Sequence, residues 1–294
     1  MSERFKHLAL SNTVRDMACH PAFAHFGTHL LPRPDYVNDN TPIQDIARLM
    51  PLHNHVQAVV VLHALNHMID MCAVGAPLFQ TFYEDHRRNT TGLFFFRGKP
   101  KAPFAVICPG GGFVYLGTLH EGFPLALQLQ QNGYNAFVLQ YRVGGEHAAC
   151  QDLAIALSWI YQCADTLSIS REGYSLWGGS AGARMAAIMG TAGPAVFGGR
   201  DMPRPASVIT AYTGYRTSTP HDPPTFAVIG DRDHTVTIDV MKNRMQTLNK
   251  YGIDTEFLLC EQVGHGFGTG EGTPAAGWTD AAVRFWEKHI LQCC

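Results

Sequence analysis

Residues 175–190 read SLWGGSAGARMAAIMG. A short apolar run, Tyr174 to Trp177, meets Gly178, Gly179, Ser180, Ala181 and Gly182, and an alanine- and methionine-rich run of helical character follows. The serine therefore falls where a strand turns sharply into a helix. Such a turn needs strained backbone angles, and bulky neighbours would hold strand and helix apart; Gly178 and Gly182 stand at the two flanking positions that crowd most. A nucleophile would be presented at this turn. Glycine–serine clusters also form loops that do no chemistry, so the pentapeptide alone does not decide function.

Strand and helix signals alternate on both sides of this stretch. Phe104 to Cys108 is a continuous apolar run, as in a strand buried on both faces, and it ends in Pro109-Gly110-Gly111-Gly112-Phe113. Helical sequence from Phe123 to Gln131 precedes a strand over Ala136 to Val143, and Leu153, Ala156, Leu157 and Ile160 then follow the spacing of a helix laid on a sheet. Downstream, Ala206–Tyr212, Thr225–Ile229 and Thr255–Cys260 read as strands, and Ile238–Lys250 and Ala275–Leu291 as helices. Upstream, LFQTFYED (78–85) and GLFFFRG (92–98), separated by the turn-prone residues 88–91, suggest an antiparallel pair. The expected class is α/β: a mostly parallel, doubly wound sheet with an antiparallel start. Residues 76–294 form the main domain in this reading. Residues 1–75, rich in proline and histidine and ending in a helix-like run from Val56 to Met71, form an N-terminal extension packed on it.

Composition narrows the function. The 294 residues are 46% hydrophobic and 16% charged, enough for one substantial core. Twenty-two basic and 24 acidic residues give a net charge of -2 with no basic run, so a nucleic-acid or anionic-membrane surface is not expected. The partner indicated is a small molecule. No apolar run reaches the roughly 18 residues of a membrane span, and MSERFKHLAL lacks the apolar centre of a secretory signal, so a cytoplasmic protein is the default expectation. The eight cysteines are scattered without a C-x-x-C pair and read as reduced core residues, with Cys293 and Cys294 exposed at the end.

In open α/β sheets the reactive groups gather at the carboxyl ends of the strands. Just past the expected strands stand the glycine triplet, Ser180, Asp231-Arg232-Asp233-His234 and Gly264-His265-Gly266-Phe267. Serine, acid and histidine thus occur in the chain order of α/β hydrolases. A serine hydroxyl is a poor nucleophile at neutral pH; a histidine must take its proton, and a carboxylate must hold that histidine in one tautomer. His265 is the candidate base and Asp233 the candidate acid, with Asp231 open because loop register cannot be read from sequence. Gly111, Gly112 and the N–H of Ala181 are the candidate donors to an oxyanion.

Four motifs carry a family resemblance: Gly110-Gly111-Gly112-Phe113, Tyr141-Arg142-Val143, Gly178-Gly179-Ser180-Ala181-Gly182 and His265-Gly266-Phe267. In this order they resemble the α/β-hydrolase esterases, especially the acetyl and carbohydrate (xylan acetyl or feruloyl) esterases, over residues 90–290. The resemblance implies the α/β-hydrolase fold, an acyl-serine mechanism, and an acid in the pattern Gly-x-x-Asp, which selects Asp233. The hormone-sensitive-lipase-like branch usually has His before the glycines and Asp before the serine. Pro109 and Gly179 stand here instead, which turns the resemblance toward the carbohydrate esterases.

The expected function is a serine hydrolase that cleaves short-chain carboxylic esters, acetyl or similar and carbohydrate-linked, without cofactor or metal. Phe113 and Tyr115 are candidate substrate contacts. His63 and His67 have the spacing of a metal pair, with His20, His25 and His29 nearby, but HALNH lacks the glutamate of H-E-x-x-H and the reading is packing or surface. Arg184 is read as a structural ion pair, with a place in the pocket lining as the alternative, and Asp152 as a helix start that caps or pairs with Arg142. Three other readings stay open: a peptidase, dienelactone hydrolase or formamidase on the same fold; a non-catalytic binding protein on a hydrolase scaffold; and, for residues 1–75, a homo-oligomerisation element.

Overall fold

Leu93 and Phe95 enter one apolar cluster while Phe94 and Phe96 enter another, because successive side chains of a strand point to opposite faces. This parity runs through the sheet at the centre of the computed structural model, which describes residues 5–83 and 91–291. Its strands are β1 (Phe79–Gln80), β2 (Gly92–Phe96), β3 (Phe104–Cys108), β4 (Asn135–Gln140), β5 (Ser175–Gly179), β6 (Ser207–Ala211), β7 (Thr225–Gly230) and β8 (Thr255–Cys260). They form one sheet in the order β1-β2-β4-β3-β5-β6-β7-β8. β1 and β2 run antiparallel to their neighbours and the rest are parallel, so the antiparallel start and the parallel body are both as expected.

Helices cover both faces. On one lie α4 (Glu146–Gln162), α5 (Ala164–Leu167) and α6 (Ser180–Ala192), whose Leu153, Leu157, Leu167, Met185 and Met189 pack on Phe104, Val106, Phe137 and Leu176. On the other lie α2 (Ala58–Ala73), α3 (Phe123–Gln131), α7 (Ile238–Lys250) and α8 (Trp278–Ile290). The N-terminal segment joins this second face. Its helix α1 (Val14–Ala18) starts with a capping box, in which the Thr13 hydroxyl accepts from Asp16 N–H and the Asp16 carboxylate accepts from Thr13 N–H. Short 3-10 turns follow, and Val14, Met17, Phe23, Leu30 and Ile43 share one cluster with Phe94, Ile107 and Val138. Each such side chain, fully removed from water, stabilises by roughly 1.5–3 kcal/mol. Trp177 of β5 lies in the same cluster, its ring 6.3 Å from that of Trp278 and 6.2 Å from that of Trp286.

Two expectations change, and two lie outside the described residues. Of the described residues in the stretch 78–85, Phe79 and Gln80 pair with β2 and Leu78 O accepts from Phe95 N–H at 2.8 Å, while Tyr83 leaves the ladder and donates to Asp152 at 2.7 Å. The turn expected at 88–91 falls outside the described residues except for Thr91, as does the terminal Cys293–Cys294 pair. Asp152 does not begin a helix: α4 starts at Glu146, and Asp152 sits fully buried within it, accepting from Arg142 N–H at 2.7 Å and Nε at 3.0 Å. Arg142 repays the burial of that carboxylate, with Tyr83 as the further donor. Among the described cysteines Cys108, Cys150 and Cys260 are buried, while Cys19 is exposed. No helix of the described residues is long and apolar enough to cross a membrane.

Candidate active site

β5 ends at Gly179 and α6 begins at Ser180, leaving no loop between them. Ser180 consequently takes φ +50°, in the left-handed region that side chains disfavour. The crossing is tight enough to require glycine: a Cβ at Gly182 would lie 1.8 Å from Cys108 O, and one at Gly178 would lie 2.4 Å from Gly182 C. The packing of α6 across β3 thus places the serine hydroxyl above the carboxyl edge of the sheet.

His265 follows β8 and Asp233 follows β7, and both reach that edge. His265 Nε2 lies 2.9 Å from Ser180 Oγ, and His265 Nδ1 lies 2.7 Å from Asp233 Oδ2. The other Asp233 oxygen accepts from Thr235 N–H and Val236 N–H, each at 2.8 Å, so the carboxylate has a fixed orientation. Asp231 faces elsewhere and accepts from Gln262 N–H at 2.6 Å. The chain from hydroxyl through imidazole to carboxylate can carry a proton from Ser180 to His265 and hold the charged imidazole that results.

Gly111 and Gly112 both have positive φ, +125° and +63°, which turns the loop back on itself. Among the described residues their N–H groups donate to no protein acceptor. The N–H of Ala181 lies in the first turn of α6, where no intrahelical acceptor exists. Phe113, also at positive φ (+60°), is half-buried at the loop tip. Tyr115 lies underneath, 4% exposed; its hydroxyl accepts from Leu52 N–H at 2.9 Å and meets His53 Nδ1 at 2.7 Å. Tyr115 therefore supports the loop from below, and the sequence reading of it as a surface for substrate finds no hydroxyl free to serve.

The remaining candidates have other partners. His67 meets Gln130 at 2.7 Å, His20 meets Lys6 O at 2.8 Å, and His29 stacks on Phe79. Arg184 pairs with Glu146 and lies over the Tyr215 ring, whose other guanidinium neighbour is Arg244.

Sequence reasoning gave no role to the groups beneath the site. Glu121, 4% exposed, accepts from Gly110 N–H, from Tyr212 Oη at 2.8 Å, and from His53 Nε2 at 2.9 Å. Burial alone would raise its carboxyl, but the His53 charge and hydrogen bond and the Gly110 N–H outweigh that and bring it to about 2. Burial, reinforced by the Glu121 charge and hydrogen bond, holds the Tyr212 phenol far above its ordinary range, so it stays a donor. Burial and the neighbouring His53 push His120 down to about 4, leaving it neutral with Nε2 3.0 Å from Gly266 O. One sequence departure pointed here: Gly179, where an acid could stand, leaves room that the Glu121 carboxylate fills, and His53 pairs with that carboxylate.

Residues 97–201 match the family model BD-FAE. No curated protein matches the sequence. Among solved structures, an acetyl ester-xyloside bifunctional hydrolase from Caldicellulosiruptor lactoaceticus superposes with a TM-score of 0.63 at 20% identity, covering 71% of this chain and 95% of its own. A sugar hydrolase from Lactococcus lactis gives 0.62 at 23% identity, covering 74% and 100%. An esterase from Thermogutta terrifontis, in a propionate-bound structure, gives 0.61 at 18% identity, covering 71% and 93%. Sheet order, elbow and superpositions agree: the chain has the α/β-hydrolase fold, with a BD-FAE match that runs from the end of β2 past the elbow helix.

Proposed function

We propose that the protein is a serine hydrolase that cleaves short-chain carboxylic esters, acetyl esters foremost and carbohydrate-linked ones among them. The observation that carries this reading is the unbroken chain Ser180 Oγ, His265, Asp233, with contacts of 2.9 and 2.7 Å, at the strained elbow. Ser180 Oγ attacks the carbonyl carbon while His265 Nε2 takes its proton, and the carbonyl oxygen becomes an oxyanion facing the N–H groups of Gly111, Gly112 and Ala181. The bond to the alcohol oxygen breaks as His265 returns the proton to it, leaving acyl-Ser180. Water then attacks the acyl carbon, gives its proton to His265, and releases the acid as Ser180 recovers its own.

The acyl and alcohol classes draw support from the neighbours, one named for acetyl ester and xyloside hydrolysis and one holding propionate. Ser180→Ala should abolish hydrolysis of p-nitrophenyl acetate and labelling by a fluorophosphonate while the circular dichroism spectrum stays that of the parent. Undiminished turnover in the folded variant would sink the reading. A panel of acetylated sugars, longer acyl esters, a lactone and an N-formyl amide assigns the substrate class.

A further inference from the structure

Glu121 belongs to no step of that mechanism, yet it is packed tightly beneath it. A Cβ built on Gly179 would lie 2.6 Å from Glu121 Oε2, and one on Gly110 would lie 2.9 Å from the same oxygen. The carboxylate is therefore wedged between the residue before the nucleophile and the residue before the donor loop. Its partners come from everywhere else that matters. Gly110 N–H donates to Oε2; Tyr212 donates to Oε1 from the end of β6, and the Tyr212 oxygen accepts from Gly268 N–H at 3.3 Å in the loop that carries His265. His53 approaches from the N-terminal segment.

His53 links two hydrogen-bonded groups. Leu52 N–H donates to Tyr115 Oη, Tyr115 Oη and His53 Nδ1 share a hydrogen bond at 2.7 Å, and His53 Nε2–H donates to Glu121. Tyr115 N–H in turn donates to Gly111 O at 3.2 Å, which closes the circuit on the donor loop. Two further contacts join the same segment to the base: Asn54 N–H donates to His265 O at 2.9 Å, and Gly264 N–H to His55 Nε2 at 3.3 Å. A Cβ on Gly266 would meet His53 Cα at 3.0 Å, so the segment lies directly against the histidine loop.

We propose that Glu121, held by His53 from the N-terminal segment, is a positioning residue that sets the Gly110–Gly112 loop against the Ser180 elbow. Residues 52–55 are then a working part of the active site and Glu121 is its shared anchor. The inference rests on the serine-hydrolase reading, since the loop matters only if its N–H groups receive an oxyanion. A neutral amide at 121 keeps the volume but replaces one acceptor by a donor, so either Gly110 N–H or the His53–Tyr212 pair loses its partner. A donor displaced from the oxyanion by part of an ångström loses much of its effect on the transition state and little on ground-state binding.

The test measures p-nitrophenyl acetate kinetics and the second-order rate of fluorophosphonate labelling for the full chain carrying Glu121→Gln, His53→Gln or Tyr212→Phe, with thermal midpoints alongside. Glu121→Gln should lower kcat about 10- to 100-fold with KM changed less than about threefold, and the labelling rate should fall by the same factor. His53→Gln and Tyr212→Phe, which each disturb one partner, should lower both by about 3- to 10-fold. If Glu121→Gln does not fold, these two decide. Folded variants with parental kcat, a loss confined to KM, or failure of all three to fold would overturn the proposal. Turnover surviving in Ser180→Ala would instead overturn the hydrolase reading, so the two failures are distinguishable.

Discussion

Asp231 and Asp233 follow the same strand, but their carboxylates serve different bonds. Asp233 orients His265 from a buried position fixed by two backbone N–H groups, whereas Asp231 ties the loop at Gln262. Asp233→Asn should therefore lower kcat on the order of 10³- to 10⁴-fold, because an amide favours the wrong imidazole tautomer. Asp231→Asn should leave kcat within a few fold; initial-rate measurements on both variants decide, and the reverse ranking would give the acid to Asp231. At this scale the sequence was partly legible. Ser180 and His265 stand among glycines that mark close approach, and their order along the chain added to the signal. Glu121 and His53 carried no such mark, because Glu121 finds its partners at Tyr212 and His53 through folding alone. An acidic side chain ahead of a helix reads locally as a solvated end.

Arg244 ties α7 to the loop after β6 through Asp222, Thr217 O at 2.9 Å and the Tyr215 ring. Asp222, in the loop after β6, accepts from Arg244 of α7, with side chains only 1% and 4% exposed, and the Thr219 N–H and hydroxyl share the carboxylate at 2.8 and 3.0 Å. Asp222→Ala would leave a buried guanidinium without its counter-ion, at a cost of about 3–5 kcal/mol. The urea midpoint should drop accordingly; a change below about 1 kcal/mol would show that water reaches Arg244 readily. Elements themselves were well marked in the sequence. α7 and β8 span Ile238–Lys250 and Thr255–Cys260, the ranges expected from periodicity, since each is amphipathic or apolar over its whole length and bounded by turn residues. The edge strand was overread because aromatic residues at 78–83 pack as side chains while their backbone leaves the ladder after Gln80.

Over the whole molecule the buried charges predict how the fold responds to acid. His120 is held neutral with its pKa lowered from 6.5 to about 4, so the unfolded chain takes up that proton first as the pH falls. Stability present above about pH 6.5 is lost progressively toward pH 4, on the order of 3 kcal/mol from this group. Glu121, lowered from 4.5 to about 2, contributes in the same sense: its stabilisation is complete above about pH 4.5 and disappears as the pH falls through 2. Urea midpoints from pH 8 to pH 3 should hold level and then decline from about 6.5. His120→Gln, which can still donate to Gly266 O, should flatten the upper part of the decline; a curve parallel to the parent would remove His120 as its cause. The layered α/β body was legible from the alternation of patterns. The route of the N-terminal segment to the His265 loop was not, because its short turns have no period to read.

Three of the four tryptophans, Trp177, Trp278 and Trp286, meet in one cluster beneath the elbow, and Trp177 is three residues from Ser180. Rings at these separations exchange excitation, so their emission behaves as a single optical probe. With Trp159 as the remaining emitter, that probe reports the core face of β5 and lets folding around Ser180 be followed by light without adding a label.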